Sequence, residues 1–161
     1  MNNILKIFFL IYIIVFGGCA TKNFTKQNGV LFTMVSPDFK FSDAGFIKTS
    51  NKSTELQIYS SGVSILKISI KDKICYNGVC KDEIEFNKSF LKMPYYKGFF
   101  AEILGKKPIY NGRDLVKTDC GFDQNLSNAI YQICDNKVYL KNQKGIKIII
   151  KEINWKELER M

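Results

Sequence analysis

From Val30 onward the apolar residues alternate with polar ones or come in short bursts bounded by Ser, Asn, Gly and Asp, the pattern of half-buried strands. Val30 to Val35, Gly45 to Lys48 and Glu55 to Tyr59 each fit it. Ser60-Ser61-Gly62 then turns the chain into Val63 to Ile70, a run whose phase changes between Ile65 and Leu66, as at a β-bulge. A hairpin centred on Asn77-Gly78 follows and ends near Phe86; Asn-Gly is the strongest two-residue hairpin signal. After a loop over Tyr110 to Asp114, strands return at Leu115 to Gln124, Ala129 to Cys134, Lys137 to Lys141 and Gly145 to Ile153. Trp155 to Met161 is a short charged tail.

Between these two groups of strands the period changes. Asn87 or Ser89 caps a first turn through Met93, and 94–104 reads as a helix with Pro94 at its start, Gly105 past its end and Pro108 beyond. Gly98 inside it costs about 1 kcal/mol relative to alanine. Tyr96, Phe99, Phe100, Ile103 and Leu104 form an apolar stripe at helical spacing, broader than one core-facing side requires. They are core residues on the simplest reading and the candidate lining of an apolar cavity on the sharper one. The expected fold is a β-rich α+β domain, a curved and mostly antiparallel sheet with a helical insertion at about 88–105 packed across it.

The first residues follow other rules. A short n-region holding Lys6 precedes an apolar run from Ile7 to Phe16, then Gly17-Gly18-Cys19-Ala20. That is the layout of a secretory signal peptide, and the run is short of the roughly twenty residues a spanning helix needs. The cysteine after two small residues resembles the bacterial lipobox, although Phe16 stands where an aliphatic residue is usual. The resemblance implies cleavage before Cys19 and lipidation of that residue. Several acyl chains burying about 0.8 kcal/mol per methylene make such an anchor effectively permanent. Ala20, in place of Asp, resembles the sorting signal for the outer membrane. The expected organisation is a signal peptide at 1–18, a lipidated tether at 19–29 and one domain at 30–161, with the covalent lipid on Cys19 and no other cofactor.

Loss of residues 1–18 leaves 143 residues and removes only Lys6, so the net charge falls from +9 to +8. Arg113 and Arg160 are the only arginines, and arginine is the residue for bidentate phosphate recognition. The net charge of +8 suits anionic lipid headgroups or lipopolysaccharide phosphates, but scattered lysines read more simply as a solvated surface; nucleic acid is excluded as a partner by compartment. Cys75, Cys80, Cys120 and Cys134 make an even set in an exported chain, which favours two disulfides over a zinc site; neither spacing is C-x2-C. With Asn77-Gly78 as the turn, Tyr76 and Val79 close the hairpin and Cys75 faces Cys80 at the next position, within bridging reach. Cys120 and Cys134 are left to pair across a second hairpin about Ser127. Catalysis finds little support. The chain has no histidine, the commonest general base, and no nucleophile elbow, P-loop or dinucleotide fingerprint. Asp82, Glu83 and Glu85 read as a solvated hairpin edge.

Four stretches resemble the LolB family, outer-membrane lipoproteins that receive other lipoproteins from the periplasmic carrier LolA. They are Ala44-Gly45-Phe46-Ile47, Phe90-Leu91 with Phe99 to Pro108, Gly121-Phe122-Asp123-Gln124 with Ala129-Ile130-Tyr131, and Gly145 to Trp155. The family's tryptophan in the helical segment is absent, and the four cysteines are not part of its pattern. The resemblance implies an unclosed half-barrel with an acyl-binding interior, a periplasm-facing position on the outer membrane, and lipoprotein acyl chains or a LolA-like carrier as partners. An accessory lipoprotein of an envelope assembly complex and a surface-exposed adhesin are the alternatives.

Overall fold

The computed structural model describes residues 25–153; Cys19, the expected signal peptide at 1–18 and Trp155 lie outside that range. Eleven strands form one antiparallel, unclosed sheet: β1 (Lys26–Val35), β2 (Lys40–Thr49), β3 (Thr54–Ser60), β4 (Val63–Ile70), β5 (Ile74–Tyr76), β6 (Val79–Lys81), β7 (Leu115–Thr118), β8 (Gly121–Leu126), β9 (Ala129–Cys134), β10 (Lys137–Asn142) and β11 (Lys147–Glu152). The first six run outward as a meander, the last five run back, and β11 closes beside β1; among the described residues the edge strands are β6 and β7. The N-terminal and C-terminal strands are thus hydrogen-bonded to each other at the middle of the sheet, with Phe32 opposite Ile150.

One face of this sheet is apolar because the strands alternate. Val30, Phe32 and Met34 on β1, Leu56 and Ile58 on β3, Val138 and Leu140 on β10, and Ile148 and Ile150 on β11 are all buried. Two helices between β6 and β7, α1 (Glu83–Phe90) and α2 (Phe99–Leu104), cover that face. They insert Phe86, Phe99, Phe100, Ile103 and Leu104 into the same core.

The Asn77-Gly78 turn has positive φ at both residues, 45° and 91°, as a type I′ hairpin requires. The phase change in β4 is a bulge: Ile58 faces Leu66 and Tyr59 faces Ser64, so Ile65 has no register partner. Both expected disulfides are present. Cys75 faces Cys80 with Cα atoms 3.9 Å apart, and Cys120 bonds Cys134 at 4.7 Å.

Several boundaries differ from the sequence reading. Strand β1 begins at Lys26, not Val30; Lys26 to Gly29 are polar or small, yet their backbone pairs with Phe46 to Thr49 of β2. The stretch 115–124 is a hairpin, broken at Asp119-Cys120, where Asp135 N–H donates to Cys120 O at 2.7 Å. The hairpin after Cys80 ends at Lys81, and the acidic clump opens α1. Asp82 is its N-cap, Oδ1 accepting from Ile84 N–H at 3.0 Å. The second helix starts at Phe99, not Pro94. Gly98 precedes it with φ 90°, a left-handed conformation that cannot continue a helix, and the carbonyls of Tyr95 and Tyr96 accept from Asn87 Nδ2 at 3.1 and 3.2 Å.

Candidate cleft at the N-terminal end of the sheet

The five residues expected to line a cavity do not share one role. Phe99, Phe100 and Ile103 are fully buried, and the two phenylalanine rings pack on aromatic neighbours. Phe99 stacks on Tyr95 with ring centres 3.8 Å apart, and Phe100 meets Phe86 and Phe90. Tyr96 stands edge-on to Phe99, its Oη donating to Glu102 and accepting from Tyr110 N–H at 2.7 Å. Tyr96 is half-buried, and Leu104 alone of the five lines a cleft. The concavity of the sheet is therefore filled by the chain's own aromatic residues rather than left as an apolar chamber.

The open space Leu104 reaches is a cleft of about 510 Å³ between α2 and the ends of β1, β2, β3 and β11. Ile47, Ala101 and Leu104 supply its apolar surface; Lys26, Asn28, Thr49, Ser50, Thr54, Glu102, Lys106, Lys107 and Glu152 supply the polar part. It lies at the end of the sheet where β1 begins, the end farthest from the β1–β2 turn. Glu152 is held by Lys106 at 2.9 Å and by Asn28 Nδ2 at 2.7 Å. Gly98 N–H at the start of α2 donates to Glu83 Oε2 at 2.5 Å, fixing one helix to the other.

Three buried polar side chains of the sheet hold the covering segment down, and nothing in the alternation pattern marks them. Gln124 Nε2 donates to Ile109 O at 2.9 Å and Arg113 O at 2.6 Å, and its Oε1 accepts from Ile109 N–H at 2.9 Å. Asn142 Nδ2 donates to Leu91 O at 2.8 Å, and Tyr131 Oη donates to Lys107 O at 3.0 Å. Burial raises the Tyr131 phenol well above its ordinary value, and likewise that of Tyr96. It takes Tyr95 to about 12, with the Asn142 side chain pulling the other way.

At the opposite end of the sheet a shallower groove of about 260 Å³ is lined by Phe39, Phe41, Ile65, Leu66, Tyr76 and Phe90. Phe39, Ile65 and Tyr76 are exposed there. Among the described residues no group of three His, Cys, Asp or Glu side chains is placed to hold a metal ion. No family model matches the chain, and no curated protein matches it.

Proposed function

We propose that the chain is a non-catalytic lipoprotein of the bacterial outer membrane, anchored through Cys19 and facing the periplasm. On this reading a LolB-like half-barrel takes acyl chains, of lipids or of lipoproteins delivered by a LolA-like carrier, along the floor of the cleft beneath α2. The observation that carries it is the cleft itself. Its 510 Å³ falls within the roughly 300–1,000 Å³ usual for ligand sites, and it joins an apolar floor to a polar rim, as an amphipathic ligand requires. Its position fits the anchor. Lys26 on its rim is seven residues from Cys19, which at about 3.5 Å per extended residue keeps the cleft within about 25 Å of the lipid. Native mass spectrometry of the mature protein, released from membranes in a mild detergent, tests the reading. Bound lipid or lipopeptide adducts are expected, and a protein that carries none after incubation with membrane lipid would refute it.

An accessory role in an envelope assembly complex is favoured by a different observation. The groove of Phe39, Ile65 and Tyr76 leaves apolar surface exposed at the end of the sheet away from the tether. Crosslinking in intact cells separates the two: a stable protein partner with no bound lipid supports this second reading.

A further inference from the structure

We propose that the rim of the cleft recognises the singly charged phosphodiester of an anionic glycerophospholipid, with Lys26 and Lys107 flanking the phosphate; the inference rests on the acyl-binding reading and narrows its ligand to one lipid class. Five charged side chains line the cleft: Lys26, Glu102, Lys106, Lys107 and Glu152. They are not equivalent. Glu152 and Lys106 neutralise each other at 2.9 Å, and Asn28 satisfies the other Glu152 oxygen. Glu102 accepts a hydrogen bond from the Tyr96 hydroxyl, which holds that carboxylate to the covering segment rather than to a lysine. Among the described residues no ion pair engages Lys26 or Lys107. The lining as a whole carries a surplus of one positive charge, which a phosphodiester monoanion balances.

Geometry adds what charge alone does not. Lys26 comes from the first residue of β1 and Lys107 from the turn after α2, so the two cations approach the cleft from different walls. Ile47 and Leu104 are the core residues that surface at the cleft, giving the first methylenes of an acyl chain an apolar surface while the phosphate stays at the rim. A zwitterionic headgroup would bring its own ammonium to a rim already one charge in surplus, and an acylated lipoprotein terminus has no phosphate to offer. A free phosphate lacks the methylenes the floor would bury.

The test is a competition. The mature lipoprotein in a non-ionic detergent is given equimolar phosphatidylglycerol and phosphatidylcholine of identical acyl chains, and the adducts are counted by native mass spectrometry. Wild type should favour phosphatidylglycerol by roughly tenfold, about 1.4 kcal/mol, because phosphatidylcholine offers the same phosphodiester but adds an ammonium that the lysine rim repels. The double variant Lys26→Gln/Lys107→Gln leaves the lining at a net charge of −1 and should lose the preference for phosphatidylglycerol with an unchanged melting temperature, and Lys26→Arg/Lys107→Arg should keep it. Equal wild-type binding of the two lipids would overturn the inference and leave acyl binding standing. Absence of both adducts would overturn the two together. Glycerol 3-phosphate binding as tightly as the lipid would overturn it as well, by showing a site for soluble phosphate.

Discussion

Replacing Gln124 with leucine removes the most heavily used clasp between sheet and cover. Gln124 and Ile109 are both fully buried, so the backbone N–H and C=O of Ile109 gain no water when the amide is lost, and the Arg113 carbonyl loses its 2.6 Å donor. Three hydrogen bonds at about 1 kcal/mol each give roughly 3 kcal/mol, and the desolvation of the stranded Ile109 groups carries the upper bound to about 5 kcal/mol. For a domain of this size about 3–4 °C of melting temperature goes with each kcal/mol, so Gln124→Leu should melt roughly 10 °C below wild type. Gln124→Glu supplies the control. It keeps the acceptor for Ile109 N–H, loses both donated bonds and buries a charge, which raises the folded-state pKa of the new acid. A group with a raised folded pKa stabilises most below its unfolded value, near pH 4, and loses that contribution as pH rises through the folded pKa. The Glu variant should therefore recover much of its deficit in acid, where the protonated acid can donate again, while the Leu variant should not. Thermal unfolding followed by circular dichroism from pH 4 to 8 reads both. A Leu variant within about 3 °C of wild type, or a Glu deficit that does not shrink in acid, would refute the clasp.

Ala101→Phe projects a ring from α2 into the cleft; lipid adducts in native mass spectrometry should fall at least tenfold with little change in melting temperature, and undiminished adducts would move the acyl site elsewhere. Serine at Cys120 and Cys134, which close a loop of sequence separation 14, should cost about 3 kcal/mol; serine at Cys75 and Cys80, separation 5, should cost about 2. Denaturant midpoints give the order, and a larger loss at Cys75 and Cys80 would contradict it. Stability should hold up to pH 10 and fall as pH rises from there toward 12, because burial raises the phenols of Tyr95, Tyr96 and Tyr131, and a group with a raised folded pKa loses its contribution as pH climbs through that value. A melting temperature that stays flat from pH 10 to pH 12 would contradict this.

What the sequence made legible is what local chemistry decides. Alternation marked the strands, Asn77-Gly78 placed the first disulfide, and the phase slip at Ile65 located a bulge, since each depends on neighbours within a few residues. The helices were harder because their signals compete. Asp82 followed three residues later by Glu85 is a capping pattern, but the eight residues of α1 are too few for periodicity to outweigh the strand pattern before them. The stripe from Tyr96 to Leu104 has helical spacing, yet Asn87 takes the carbonyls of Tyr95 and Tyr96 and Gly98 turns left-handed, so the helix begins only at Phe99. Gln124, Tyr131 and Asn142 were illegible for another reason. Each sits in an ordinary strand, and its bonding partner is 11 to 51 residues away.

On the proposed acyl-binding reading, the filled concavity sets the terms on which a lipid can bind. Lifting α2 off the sheet would expose Phe99, Phe100, Ile103 and Leu104, at about 1.5–3 kcal/mol each, or roughly 6–12 kcal/mol in all. An acyl chain burying about fourteen methylenes in their place returns about 11 kcal/mol. The exchange is nearly balanced in apolar area before the clasps are counted. Breaking the bonds from Gln124, Tyr131 and Asn142 adds cost that the acyl chain has no polar groups to offset. Binding along the existing floor of Ile47, Ala101 and Leu104 meets none of that cost. The cover is for this reason better read as a fixed wall of the site than as a plug displaced by the ligand, and lipid selectivity then falls to the residues around the mouth, Lys26 and Lys107 foremost.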